Sequence, residues 1–192
     1  METITQRIRP ARPEDGMHLA HLINFAGEGM PYHFWSKLEE PGQDPWEIGE
    51  ARAQRSDGSF SYKNAFVISV DNSVAACLIT YSIGDEPDEI TPDTPTMFVP
   101  LIELENLALS TQYVSVLAAF PEYRGKGFGS ELLKQAEAAC TNDQMSIIVS
   151  DANKGARRLY EKHGYKPTAS RPIVKEDWKN PGENWILMKK TL

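Results

Sequence analysis

The sequence predicts a mixed α/β fold in a single domain. Three observations carry that expectation. Strand-like stretches of β-branched residues alternate with stretches whose apolar residues recur at helical spacing, the pattern of helices covering a sheet. A glycine-rich string, Arg124–Ser130 (RGKGFGS), separates a β-branched strand from an amphipathic helix. At 192 residues the chain has the size of one domain, and it is long enough to bury a core without staples.

The elements follow in order. Thr5–Arg9 (TQRIR) is a short strand, and PARPED turns the chain into a helix. In that helix Leu19, Leu22, Ile23 and Ala26 fall at i, i+3, i+4 and i+7, one apolar face. Gly27 and Gly29 end it. The stretch from Pro31 to Arg55 carries Tyr32, Phe34, Trp35 and Trp46, and Pro41 and Pro45 divide it into two short helical pieces. Ala65–Val70 and Val74–Ile83 are two strands joined by a hairpin turn at Asp71-Asn72-Ser73. Gly84–Pro95 (GDEPDEITPDTP) is an acidic, solvated loop. Met97–Leu109 is apolar with Glu103 and Glu105 interleaved, and its pattern fits a short helix or an edge segment equally. A core strand at Tyr113–Phe120 leads through the glycine string into a helix from about Lys126 to Cys140. Strand Met145–Ser150, helix Asn153–His163 and two terminal strands, Lys166–Val174 and Asn184–Lys189, complete the chain.

Composition narrows the function classes. A net charge of −7 argues against a nucleic-acid partner and suits a cationic substrate. Cys77 and Cys140 are far apart in apolar surroundings, as expected of buried thiols. The four histidines show no zinc-type spacing with them, so no metal is expected. METITQRIRP lacks the apolar centre of a signal peptide. No apolar run approaches the ~18 residues that span a bilayer. The expectation is a cytoplasmic protein without a membrane partner.

The glycine string is the candidate anion site. Backbone N–H groups at the start of a helix have no helical partner, and they favour negative charge. Glycine lets the main chain approach a ligand closely. A pyrophosphate is the natural occupant. A Walker A loop is excluded because no G-x-x-x-x-G-K-[ST] occurs. A dinucleotide-binding G-x-G-x-x-G fails because Ser130 stands where its third glycine belongs.

The form that remains, R-G-x-G-x-G over Arg124–Gly129, resembles motif A of the GNAT superfamily of N-acetyltransferases, with Arg124, Gly127 and Gly129 on the pattern [QR]-x-x-G-x-[GA]. Asn153–Tyr165 (NKGARRLYEKHGY) is similar to motif B of the same superfamily. The resemblance covers roughly Thr111 to Tyr165. It implies one N-acetyltransferase domain over residues 1–192. It further implies a central, mostly antiparallel sheet of about seven strands, whose fourth and fifth strands splay to admit the pantetheine arm of acetyl-CoA.

The resemblance also implies roles. The main chain of Val116, Leu117 and Ala118 would pair with pantetheine amides. Amides of Arg124, Gly125, Lys126, Gly127, Phe128, Gly129 and Ser130 would cradle the pyrophosphate, with side-chain charge from Arg124 and Lys126 or with those side chains in solvent. Asn153 would contact the cofactor arm, and it also suits a helix N-cap. Tyr160 would assist departure of the thiolate, or serve only as a packing aromatic. Full proton transfer from a tyrosine (~10) to a thiolate (~8.5) is uphill by roughly 2 kcal/mol, so hydrogen-bond donation is the easier role. An amine of pKa ~10.4 is neutral in only about one molecule in 2,500 at pH 7, so something must take its proton. Glu103 and Glu105 are the candidates, with Glu105 as the base and Glu103 on the acceptor side, or both are surface charges and Ser110 or a water chain takes the proton. Tyr32, Phe34 and Trp35 lie where acceptor pockets are built, or are core, and Trp178 could help close that site. Family members are often dimers, which leaves a homodimer open.

These readings imply an acetyl-CoA-dependent N-acetyltransferase acting on a primary amine of a small molecule or protein. The alternatives are a non-catalytic acyl-CoA-binding or sensing domain and a nucleotide-phosphate binder.

Overall fold

The structure, a computed structural model, describes residues 6–38 and 40–192. Seven strands form one sheet: β1 (Gln6–Pro10), β2 (Ala65–Val70), β3 (Ser73–Ser82), β4 (Gln112–Ala119), β5 (Gln144–Ser150), β6 (Lys166–Pro172) and β7 (Asn184–Thr191). Their order is β1-β2-β3-β4-β5-β7-β6. β4 and β5 are parallel, while β1–β2, β2–β3, β5–β7 and β6–β7 are antiparallel. Among the described residues six α-helices accompany them: α1 (Gly16–Ala26), α2 (Met30–Leu38), α3 (Pro45–Ala53), α4 (Val99–Glu105), α5 (Phe128–Ala139) and α6 (Lys154–Lys162).

The chain divides into two compact parts, with β3 and β4 running through both. One holds the described residues up to Thr80 with Ser115–Ala136; the other is Tyr81–Val114 with Glu137–Leu192. In the first, Leu19, Leu22 and Ile23 of α1 pack with Trp35, Ala53, Val67, Cys77, Ile79 and Val116. Each large apolar side chain buried this way contributes about 1.5–3 kcal/mol. The hairpin between β2 and β3 is a type I′ turn, because Asp71 and Asn72 both take positive φ (49° and 69°). Arg9 grips Asp15 with two hydrogen bonds of 2.7 and 2.9 Å, and the Arg12 amide adds a third at 2.8 Å. Burial alone would raise the Asp15 carboxyl, but these partners hold it below its ordinary value.

In the second part, Thr111 Oγ1 meets Ser146 Oγ at 2.6 Å and donates to the Ala108 carbonyl at 2.7 Å. Lys190 pairs with Glu137 at 2.8 Å.

Several boundaries depart from sequence expectation for identifiable reasons. Met97–Leu109 contains a helix, α4, after a 3₁₀ turn at Thr96–Phe98. Pro100 sits in its first turn, where a missing N–H costs nothing. α5 begins at Phe128 rather than Lys126, because Gly125 and Gly127 hold φ of 76° and 87°, outside the right-handed helix. β4 stops at Ala119, since Pro121 opens a 3₁₀ turn. Cys140 lies just past α5 and is half-buried, so only Cys77 is a buried thiol. Thr5, expected in β1, lies outside the described residues.

Among the described residues, no helix is long and apolar enough to cross a membrane. No group of three or more His, Cys, Asp or Glu among them could hold a metal ion.

Candidate active site

The glycine loop belongs to the first part. β4 leads into the Pro121–Tyr123 turn, where the Tyr123 amide donates to the Phe120 carbonyl at 2.9 Å. The α5 ladder starts with the Glu131 amide on the Gly127 carbonyl at 3.1 Å. The amides of Phe128 and Gly129 therefore precede the ladder, at the positive end of the helix. Phe128 is buried and stacks on Tyr123 with ring centroids 6.2 Å apart, which anchors the helix start. A Cβ placed on Gly125 or Gly127 would meet no protein atom within 4 Å. The loop thus combines left-handed backbone, open space and helix-terminal amides.

The loop cations are engaged on aromatic faces. Lys126 Nζ lies 5.0 Å from the Tyr123 ring centroid. The Arg124 guanidinium lies 5.3 Å from that of Phe25, and its Nε donates to the Ala119 carbonyl at 3.2 Å. Just upstream, Val116 is buried while Leu117 and Ala118 are half-buried. β4 is in register with β5 only over Gln112–Val114, opposite Met145–Ile147. Val116, Leu117 and Ala118 lie beyond that shared register.

The N-terminal aromatics occupy different environments. Trp35 is 4% exposed, and a Cβ on Gly49 would meet its ring at 2.5 Å. Its ring is therefore core, wedged against α3. Tyr32 remains half-buried, its ring 4.8 Å from that of Trp46. Its amide donates to Asn24 Oδ1 at 2.9 Å.

The second part holds the other candidates. Asn153 Oδ1 accepts from the Ala156 amide at 3.1 Å, so Asn153 is the N-cap of α6. Tyr160 is 5% exposed, its ring 6.1 Å from that of Tyr165. Burial raises the Tyr160 hydroxyl above its ordinary value. On α4 the two glutamates diverge. Glu103 accepts from Arg171 Nε at 2.6 Å, an ion pair that occupies its carboxylate. Glu105 is half-buried, and desolvation, with Asp88 nearby, pushes its carboxyl up to about 7. Asp88 is held against the end of α4 by Asn106, which accepts from its amide at 2.8 Å and donates to its carbonyl at 2.9 Å. Trp178 is buried and stacks on Trp185 with centroids 6.2 Å apart.

Sequence reasoning passed over Tyr113, which sits at the start of β4 and reads as an ordinary strand aromatic. It is buried against Tyr81 at 5.5 Å, edge to face. Burial raises its hydroxyl most, with further contributions from Glu105, Tyr81 and Tyr160. No periodicity signal could have found it, since a buried tyrosine in a strand is the default outcome.

A seven-stranded, mostly antiparallel sheet with one parallel pair, and a glycine turn opening a helix after the fourth strand, defines an acetyltransferase fold. The family model for the acetyltransferase (GNAT) family matches residues 31–165, and the chain belongs to that family. It is thus an acyltransferase by family. Solved structures of similar fold include an N-acetyltransferase from Staphylococcus aureus Mu50, at 21% identity over 96% of this chain and 100% of that one, with a TM-score of 0.65. The ribosomal-protein-S18-alanine N-acetyltransferase from Escherichia coli matches at 17% identity over 97% of this chain and 94% of that one, with a TM-score of 0.58. A protein from Pyrococcus horikoshii OT3 matches at 16% identity over 98% and 99% of the two chains, with a TM-score of 0.60. At such identities the likeness speaks to fold alone. No curated protein gives a significant sequence match.

Proposed function

We propose that this protein is an acetyl-CoA-dependent N-acetyltransferase, one domain over residues 1–192, that acetylates a primary amine by direct attack. The observation that carries the reading is the Arg124–Ser130 loop. Two left-handed glycines with open space around them lead into helix-terminal amides, and those features suit a diphosphate. Amides from Gly125 to Ser130 hold the pyrophosphate, while the Arg124 amide closes the preceding turn on the Pro121 carbonyl at 3.3 Å. The main chain of Val116, Leu117 and Ala118 pairs with the pantetheine arm, and Asn153 contacts that arm while capping α6.

Glu105 accepts the nitrogen's proton. A carboxyl of ordinary pKa lies ~6 units below an amine of ~10.4, a mismatch of about 8 kcal/mol. At about 7 the gap falls to roughly 3.4 units, or ~4.6 kcal/mol. Burial thus removes nearly half of the mismatch while leaving Glu105 ionised in about half the molecules at pH 7. As the C–N bond forms and the C–S bond breaks, the sulfur keeps the electron pair. Tyr160 donates a hydrogen bond to that sulfur and retains its proton. Its burial makes full transfer costlier than the ~1.5 units between the ordinary tyrosine and thiol values. The Leu117 amide donates to the developing oxyanion. On the acceptor side, Tyr32 supplies a ring face, Trp35 backs the site from the core through Trp46, which both rings contact, and Glu103 acts with Arg171 bound.

Release of free CoA thiol from acetyl-CoA, followed with a panel of primary amines, tests the reading. Amine-dependent release supports it. Cofactor binding without turnover on any amine would replace it with an acyl-CoA-binding domain. The acceptor class is a cationic small molecule or protein amine, in keeping with the net charge of −7, and the expected setting is the cytoplasm.

A further inference from the structure

Phe25 is a large aromatic side chain left 37% exposed at the last turn of α1. It precedes residues 31–165, to which the family model applies. Its ring nonetheless makes two contacts with the cofactor loop and its approach. It packs edge to face on Phe120, with centroids 6.0 Å apart at 87°. It also underlies the Arg124 guanidinium at 5.3 Å. Phe120 is itself fixed, because its amide donates to the Ala75 carbonyl at 2.9 Å and the His18 ring meets it edge-on at 6.1 Å. Arg124 is therefore held at two points: its Nε by the Ala119 carbonyl at 3.2 Å, and its guanidinium carbon over the Phe25 ring. A guanidinium fixed through Nε and held over an aromatic ring still presents its two Nη groups, the pair that matches two oxygens of a phosphate.

We propose that Phe25 is a positioning residue for phosphate binding: its ring holds the Arg124 guanidinium so that the Nη groups face the cofactor's diphosphate. The inference rests on the reading of the Arg124–Ser130 loop given above. Phe25 itself touches no phosphate. It removes rotational freedom from an exposed arginine, which would otherwise lose that freedom on binding.

Titration calorimetry with coenzyme A on wild type, F25L, F25Y, R124M and F25L/R124M tests it. Leucine keeps the apolar contact with Phe120 but has no π face; tyrosine restores the face. An exposed cation–π contact corresponds to roughly two- to fivefold in affinity. F25L is expected to bind coenzyme A two- to fivefold more weakly and F25Y like wild type. In the R124M background, F25L should cause no further loss. Wild-type affinity in F25L overturns the proposal. So does an equal F25L loss with or without Arg124, since that would mark Phe25 as general packing. Thermal melts confirm that each variant is folded, and F25M takes the place of F25L if that variant is not. Failure of the wild type to bind coenzyme A is a separate result, and it would remove the phosphate reading of the loop itself.

Discussion

Replacing Glu105 with glutamine should remove the loss of stability that its titration causes between pH 5 and pH 8. In the folded protein the carboxyl is pushed from its ordinary 4.5 up to about 7, first by burial and then by Asp88. The folded state therefore prefers the protonated form. That preference is fully expressed below about pH 4.5 and is lost as pH rises through about 7. At 1.36 kcal/mol per pH unit the full span corresponds to ~3 kcal/mol. Most of it, on the order of 2 kcal/mol, falls between pH 5 and pH 8. Glutamine keeps the shape and does not titrate. Urea unfolding at pH 5, 6, 7 and 8 should show wild type losing on the order of 2 kcal/mol relative to E105Q across that range. The same variant should lower kcat/KM by roughly 10²–10⁴, the range for loss of a general base. The two readouts separate environment from role. Parallel stability curves would refute the desolvated carboxyl; a shifted curve with full activity would leave the carboxyl buried but remove it from the chemistry.

Three further outcomes can be checked. Gly127→Glu should abolish acetyl-CoA binding in a protein that still folds, since a Cβ there meets no protein atom and the left-handed backbone costs only about 1–3 kcal/mol; unchanged cofactor affinity would displace the site. Tyr160→Phe should lower kcat by roughly 10–10³ with little change in acetyl-CoA affinity, and a wild-type rate would return Tyr160 to packing. Asp15→Asn should destabilise by about 2–4 kcal/mol at neutral pH, because it leaves Arg9 unpaired. The two curves should converge as acid protonates Asp15 in the wild type, because a depressed folded-state pKa gives stability that disappears on acidification; a constant gap down to pH 2 would show that charge is not the cause.

Periodicity and turn chemistry made much of the fold legible. The i, i+3, i+4 spacing of Leu19, Leu22 and Ile23 identified the buried face of α1. Asp71-Asn72 marked the hairpin because few residues tolerate two successive positive φ angles. The glycines of the loop were readable for a related reason: their backbone conformation excludes most side chains, so the conformation leaves its trace in residue type. Asn153 was readable as a cap because its short side chain reaches the Ala156 amide within one turn. All of these are local causes, acting over a few residues.

What stayed ambiguous depended on distant partners. Met97–Leu109 fitted helix or edge, and α4 was settled by where Pro100 and Leu104 are buried. Trp35 and Tyr32 are three residues apart on one helix, yet it is the Trp35 ring that lies against the Gly49 backbone of α3, while Tyr32 stays half-buried. The two α4 glutamates make the case most clearly. Glu103 and Glu105 are the same residue type, two positions apart, and the sequence ranks them nearly equally. On a helix two positions are a rotation of about 200°, so the carboxylates face opposite ways. One direction meets Arg171, brought there by β6; the other meets buried surface and Asp88. The sequence by itself determined which chemistry-bearing groups were available and where the backbone could bend. Only the tertiary structure decided which of them kept its water and which lost it, because desolvation depends on neighbours far apart along the chain.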